Sequence, residues 1–149
     1  MMKDYSDLIR MAIDQLHNSY APYSRYHVAA ALLTKDGRVY CGVNIENAAY
    51  TPTICAERTA VFKAVSEGER EFSAIAVVAG DGDFLESCDF HPEALPTYAT
   101  PCGTCRQVLR EFCDPKEFDV VLARSPEDYK VYKLEKLLPV SFGPEFLFK

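Results

Sequence analysis

The sequence lacks the features that would assign it to a membrane, to the secretory pathway or to a nucleic acid. No apolar run in its 149 residues approaches the roughly 20 residues that a transmembrane helix needs. Its first seven residues contain no apolar core of a signal peptide. The net charge is −6, from 22 acidic and 16 basic residues, and no basic stripe interrupts this acidic balance. A polyanion would be repelled, so we expect a cytoplasmic protein that binds neither membrane nor nucleic acid.

Repeats, linkers and low-complexity segments are also missing, which favours a single domain spanning residues 1–149. Hydrophobic residues make up 48% of the chain and charged residues 26%, as is usual for a globular protein with a real core. Because thiols stay reduced in the cytoplasm, the six cysteines are better interpreted as metal ligands and small buried residues than as disulfides.

The hydrophobic pattern alternates between helical and extended periodicity. Near the N-terminus, apolar residues recur at the spacing of one helix face. Further on, an Asp-Gly pair separates two β-compatible runs, which indicates a hairpin. The pattern predicts helices over residues 4–20, 55–66 and 102–112, strands over 26–33, 38–43, 72–79, 119–123 and 130–132, and a helical turn over 134–138. This order predicts an α/β fold with a mixed sheet and helices on both faces.

Two short motifs, CAER and PCGTCR, carry the candidate chemistry. They supply three cysteines, Cys55, Cys102 and Cys105, together with the carboxylate of Glu57. Tetrahedral zinc binds thiolates readily, and a catalytic zinc takes three protein ligands and leaves the fourth position for water. A glutamate beside that water is a suitable general acid and base. The motifs therefore predict a catalytic zinc site, one ion per chain, in which Glu57 moves protons without binding the metal.

The predicted helices explain how these residues could meet. Cys102 and Cys105 lie three residues apart at a helix start and share a face, while Cys55 opens a different helix. Because Cα–Cβ bonds lean towards the helix N-terminus, a metal ahead of both helices can contact all three sulfur atoms. Arg58, three residues after Cys55, can donate to a sulfur atom. Its charge would offset the excess negative charge of three thiolates around a divalent ion.

Two other interpretations of the cysteines remain open on sequence alone. The Cys-x-x-Cys spacing is also typical of a redox pair. A four-sulfur structural zinc would need Cys88 or Cys113 as a fourth ligand, and neither has a convincing partner spacing. Cys41 and Cys113 lie in apolar sequence and are predicted to be packing residues.

The remaining candidate polar residues have ordinary interpretations. His17 and His27 are predicted to be surface or edge residues, and His91 pairs only weakly with Cys88. Arg106 has no assigned role.

Six motifs along residues 20–144 resemble those of the short, zinc-dependent, oligomeric cytidine deaminases. They are APYS (21–24), NIENA (44–48), CAERTA (55–60), KAVSEG (63–68), PCGTCRQ (101–107) and LLPVSFGP (137–144). The resemblance implies a three-layer α-β-α sandwich with a mixed central sheet of about five strands. It implies hydrolysis of cytidine and deoxycytidine to uridine, deoxyuridine and ammonia, with zinc on the three cysteines and Glu57 as the proton shuttle.

The same resemblance implies the substrate contacts. It assigns Asn44 and Glu46 to the ribose, Tyr26 to the neighbourhood of sugar and base where the family usually has Phe, and Ala56 to the same pocket. It implies that Phe142 enters the pocket of a neighbouring subunit in a homotetramer with shared active sites. A carboxylate at position 46 would also repel a phosphate, which favours nucleosides over nucleotides.

The chain departs from the family at two places. Ala29 replaces the usual Gly, where a side chain would crowd a close backbone approach. The segment 81–100 is longer than usual and precedes the second zinc motif.

Three other functions compete with cytidine deamination. The blasticidin S deaminases share both zinc motifs but lack the Asn-x-Glu pair. The polynucleotide deaminases usually have His as the first ligand, and the acidic charge of this chain argues against them. A zinc-stabilised, inactive binding module is the third alternative, which the intact Glu57 disfavours.

Overall fold

The computed structural model of the chain describes residues 3–82 and 95–148. Its strands are β1 (Tyr26–Thr34), β2 (Val39–Val43), β3 (Phe72–Asp81), β4 (Asp119–Ala123) and β5 (Tyr129–Lys133). The α-helices of the described residues are α1 (Ser6–Gln15), α2 (Ala56–Ser66), α3 (Gly103–Phe112) and α4 (Leu134–Leu137). Short 3₁₀ helices follow at Leu16–Asn18 and Pro144–Phe146.

The strands form one sheet in the order β2-β1-β3-β4-β5. Strands β3 and β4 are parallel, and the other neighbouring pairs are antiparallel. The predicted mixed sheet of about five strands is therefore confirmed. The hairpin is also present, and the Oγ1 of Thr34 accepts a hydrogen bond from the Arg38 amide across its turn, at 2.9 Å.

The two faces of the sheet carry separate hydrophobic clusters. Helix α1 covers one face, where its buried residues pack against those of β1, β3 and β4. Helices α2 and α3 contribute to the cluster on the opposite face. Since successive strand residues point to opposite faces, β3 must be apolar at almost every position. The helices on both faces give the expected three-layer α-β-α arrangement.

Helix α1 is shorter than predicted because a tertiary contact ends it. The chain leaves the 3₁₀ helix at Ser19 in an extended conformation, and the Tyr20 amide donates to the Asn44 carbonyl oxygen at 3.0 Å. Tyr20 also forms a β-bridge with Ile45. This pairing replaces the last turn that the amphipathic pattern predicted, while Leu16 stays buried on the same face.

The structure describes Ala29, at which the sequence departs from the family, and two of the cysteines outside the candidate metal site. Ala29 is fully buried in the cluster on the α1 face, so its methyl group points away from α2 and α3. Cys113 is buried in the opposite cluster, and Cys41 packs beside the α1 face, as predicted for packing residues. Cys88, His91 and most of the segment 81–100 lie outside the described residues. Within the described ranges, no helix is both long enough and apolar enough to cross a membrane.

Candidate active site

The three cysteines meet in front of two helix N-termini. Cys55 is the N-cap of α2 and Cys102 the N-cap of α3, both with an extended backbone, so each helix begins one residue later than predicted. Cys105 lies in the first turn of α3 and is fully buried. Gly42 of β2 allows α2 to pack close to the strand, because a Cβ at this position would lie 2.4 Å from the Ala60 nitrogen. The close approach of strand and helix therefore helps to set where the first sulfur atom lies.

The geometry of the sulfur atoms fits a zinc ion. All three Sγ atoms lie within 4.8 Å of one another. The Sγ atoms of Cys102 and Cys105 are 3.6 Å apart. A tetrahedral zinc with Zn–S bonds of about 2.3 Å separates its sulfur ligands by about 3.8 Å. The cluster therefore needs only small side-chain adjustments to hold the ion.

Arg58 contributes a positive charge to the cluster. Its Nη2 donates a hydrogen bond to the Cys55 Sγ at 3.3 Å. A hydrogen bond from Cys105, opposed by burial and supported by Arg58, lowers the pKa of Cys55 below its usual range. The same bond to Cys55, together with burial, raises the pKa of Cys105. The Cys55 sulfur is thus poised as a thiolate, the form that binds a metal.

Glu57 is a buried carboxyl group next to the sulfur atoms. Its residue is 4% exposed in the first turn of α2. Burial is the main cause that raises the pKa of Glu57 to about 7, and the charge of Cys55 adds to it. Hydrogen bonds from its own backbone amide and from Cys105 oppose this rise. A carboxyl group that titrates near neutrality can both accept and donate a proton, as a general acid and base must.

A cavity of about 270 Å³ opens onto this cluster. It unites most of the residues that the sequence nominated for substrate and metal: Tyr26, Asn44, Glu46, Cys55, Ala56, Glu57 and Cys102. Its other lining residues come from the loops and strand ends around them. Ala56 is fully buried, whereas Tyr26 is 43% exposed at the rim.

Asn44 and Glu46 enter this cavity from the end of β2 and are both held by hydrogen bonds. The Asn44 amide bridges backbone groups of β1. The Glu46 carboxylate accepts from the backbone amides of Tyr23 and Ser24 at 3.0 and 3.1 Å, and from the Ser24 hydroxyl at 2.5 Å. Burial opposes ionisation of Glu46, but these bonds outweigh it and lower its pKa. Glu46 is therefore an ionised acceptor at neutral pH.

Phe142 does not line the cavity of its own chain. The residue is 55% exposed, and its ring stacks on that of Phe146 with centroids 5.1 Å apart. Helix α3 holds the surrounding segment: Gln107 donates to the Phe142 carbonyl oxygen at 3.0 Å, and Arg110 binds Ser141 and Glu145. The backbone of Phe142 is thus fixed while its ring faces outwards.

Arg106, which the sequence left without a role, supports the second zinc motif. Its Nε donates to the Pro101 carbonyl oxygen at 2.7 Å, and its Nη1 donates to the Leu137 carbonyl oxygen at 2.5 Å. The side chain therefore ties the residue before Cys102 to the end of α4. In the sequence, this role is indicated only by the position of Arg106 inside the motif, where no acidic residue at helical spacing could pair with it.

Three convergent cysteine sulfur atoms, a nearby buried glutamate and a Pro-Cys-x-x-Cys motif on a mixed α/β sheet are the features of the zinc-dependent deaminases. Comparison with known families agrees. The family model for the cytidine and deoxycytidylate deaminase zinc-binding region matches residues 2–121. The chain therefore belongs to the cytidine and deoxycytidylate deaminase family.

Individual relatives match over nearly the whole chain. The cytidine deaminase of Halalkalibacterium halodurans is 46% identical over 142 residues, which cover 95% of this chain and 96% of the relative. The cytidine deaminase of Sporosarcina psychrophila is 43% identical, over 97% of this chain and 95% of the relative. The crystal structure of the cytidine deaminase from Burkholderia pseudomallei superposes with a TM-score of 0.78 at 40% identity, covering 95% of this chain and all of that structure.

Proposed function

We propose that the protein is a zinc-dependent cytidine deaminase that hydrolyses cytidine and deoxycytidine to uridine, deoxyuridine and ammonia. The observation that carries this proposal is the buried Glu57 carboxyl group beside three convergent cysteine sulfur atoms, in a cavity that also contains Asn44 and Glu46. The relatives named above are cytidine deaminases of nearly equal length, which supports the same reaction here.

Cys55, Cys102 and Cys105 would hold one zinc ion. When bound, zinc acts as a Lewis acid and makes a water molecule nucleophilic at neutral pH. Arg58 donates to the Cys55 sulfur and would lower the electron density that this thiolate gives to a bound ion. Arg58 would thereby offset part of the negative charge of three thiolates around the ion.

Glu57 supplies the proton transfers. It accepts a proton from the water that attacks C4 of the cytosine ring, and it delivers this proton to ring atom N3. It then takes a second proton from the hydroxyl group now on C4 and delivers it to the amino group, so that the C4–N bond breaks, ammonia leaves and the C4 carbonyl of uridine forms. One carboxyl group can do both because each transfer restores the state that the next one needs. A pKa near neutrality, caused mainly by burial, suits this alternation.

Asn44 and Glu46 recognise the sugar of the substrate. The ionised Glu46 accepts hydrogen bonds from sugar hydroxyl groups and would repel a 5′-phosphate, so nucleosides are preferred to nucleotides. Tyr26 and Ala56 border the space for the sugar and the base.

The active unit that we propose is a cytoplasmic homotetramer in pyrimidine salvage, with Phe142 of each subunit entering a neighbouring pocket. The outward-facing ring of Phe142 and the fully exposed side chain of Val140 support an apolar interface on this segment. Light scattering at assay concentration should give four subunits, and Phe142→Ala should raise the KM for cytidine. An active monomer would reject the shared site.

An absorbance assay on a substrate panel tests the activity itself. The panel contains cytidine, deoxycytidine, deoxycytidylate, adenosine and blasticidin S. We expect turnover of the first two and little or none of the others. Turnover of blasticidin S alone, or zinc binding without any turnover, would contradict the proposal.

A further inference from the structure

Asn44 is supported from behind by a chain of side chains that do not line the cavity. The Ser19 hydroxyl group is hydrogen-bonded to the Asn44 Oδ1. The Nδ1 of His27 lies 2.9 Å from the same Ser19 Oγ. Ser19 follows the first 3₁₀ helix, and His27 lies on β1 opposite Gly80. These positions make a relay from His27 through Ser19 to the amide that faces the sugar end of the cavity.

The protons of this relay can be assigned from its backbone partners. The Asn44 Oδ1 accepts from the Val28 amide at 2.9 Å, and the Nδ2 donates to the Tyr26 carbonyl oxygen at 2.8 Å, which fixes the orientation of the amide group. Since Oδ1 is an acceptor, the single Ser19 proton must point to it. The Ser19 oxygen then accepts, so the Nδ1 of His27 carries a proton.

This assignment determines whether the Asn44 amide donates or accepts a hydrogen bond towards a ligand. Its Oδ1 is occupied by two donors, and one Nδ2 hydrogen is used by β1. Within residues 3–82 and 95–148, nothing accepts a hydrogen bond from the second Nδ2 hydrogen, so Asn44 offers a donor to the cavity. Hydrogen bonds to an amide oxygen polarise the group and strengthen its N–H donors. Beside it, Glu46 can only accept.

We infer that Ser19 and His27 are positioning residues for the sugar end of the site. They hold and polarise Asn44 so that it donates to a sugar hydroxyl that in turn donates to Glu46. This inference rests on the proposed role of Asn44 in nucleoside binding. It also changes the interpretation of His27, which the sequence predicted to be an ordinary edge residue. The APYS motif that this region shares with the family covers residues 21–24 and includes neither Ser19 nor His27. The relay therefore depends on residues outside that motif.

Paired variants test the relay in the full-length, zinc-loaded protein. Ser19→Ala removes the donor to Asn44, whereas Ser19→Thr keeps a hydroxyl group. His27→Leu removes the donor to Ser19, whereas His27→Asn keeps an N–H group near the position of Nδ1. His17→Leu, at an exposed residue of the preceding 3₁₀ helix, is the matched control. KM and kcat are measured for cytidine and for free cytosine, with zinc content and thermal unfolding recorded for each variant.

We expect Ser19→Ala to raise the KM for cytidine roughly threefold to tenfold, as for the loss of one hydrogen bond. Its kcat, its zinc content and the reaction of free cytosine should stay within about twofold of the starting protein. His27→Leu should raise the KM by a smaller factor, whereas Ser19→Thr and His27→Asn should keep the KM near that of the starting protein. The double variant Ser19→Ala/His27→Leu should be no worse than Ser19→Ala, because His27 acts through Ser19.

Several results would overturn the relay. Equal losses for cytidine and cytosine, additive effects in the double variant, or no rescue by the conservative variants would each do so. If Ser19→Ala fails to fold, the comparison of His27→Leu with His27→Asn decides in its place. A starting protein that does not deaminate cytidine refutes the proposed function. Normal cytidine turnover with an unchanged KM in Ser19→Ala refutes only the relay.

Discussion

Removal of the Glu46 carboxylate should separate sugar recognition from chemistry. In Glu46→Ala the cavity loses an ionised acceptor that three donors of residues 23 and 24 hold in place. A hydrogen bond to a charged group contributes about 1.5–3 kcal/mol. The expected loss in kcat/KM for cytidine is therefore roughly tenfold to a hundredfold. Zinc content should not change, because Glu46 is outside the three-cysteine cluster.

The assay compares cytidine with free cytosine, which has no sugar to lose. The already slow reaction of cytosine should barely change in Glu46→Ala. Ser24→Ala is the control for the loop, since it removes a donor to Glu46 but leaves the carboxylate in the cavity. We expect Ser24→Ala to lose less kcat/KM for cytidine than Glu46→Ala. Equal fractional losses for cytidine and cytosine would refute a sugar contact, and an equal loss in Ser24→Ala would assign the effect to the loop.

Three further changes test the site and its surroundings. Glu57→Gln should keep zinc and fold but lose about 10²–10⁴-fold in kcat, because the amide cannot carry protons; near-normal turnover in the zinc-loaded variant would contradict its role. Cys102→Ala should lose stoichiometric zinc and unfold at a lower temperature, since bound metal stabilises the folded state; unchanged zinc content would mean a different ligand set. Gly143→Ala should destabilise the protein by about 1–3 kcal/mol, because its Cβ would lie 2.3 Å from the buried Arg110 guanidinium; an unchanged melting temperature would show that Arg110 moves aside freely.

The elements that local pattern determines were predicted well from the sequence. The continuous apolar run of β3 and the amphipathic repeat of α1 each reflect which faces are covered. The two zinc motifs also needed only local spacing, because each lies within one helix start. The end of α1 was predicted wrongly because the pairing of Tyr20 with Ile45, distant in sequence, ends it.

Contacts between distant segments were out of reach of such reasoning. Nothing in the spacing of Ser19, His27 and Asn44 indicates that three elements bring them into one hydrogen-bonded chain. The sequence gives Arg106 no role for the same reason, since one of its two carbonyl partners belongs to Leu137, 31 residues away. The strand order, with β3 and β4 parallel, likewise depends on the crossover rather than on either strand.

The proposed reaction is the deamination of cytidine by zinc on three cysteines together with Glu57. Its most direct test is to follow zinc content and cytidine turnover in one preparation before chelation, after chelation and after zinc is returned. We expect one zinc per chain, loss of turnover in step with loss of zinc, recovery on its return, and one ammonia released per uridine formed. Full activity in the zinc-free protein, or a zinc-loaded protein that leaves cytidine unchanged, would contradict it.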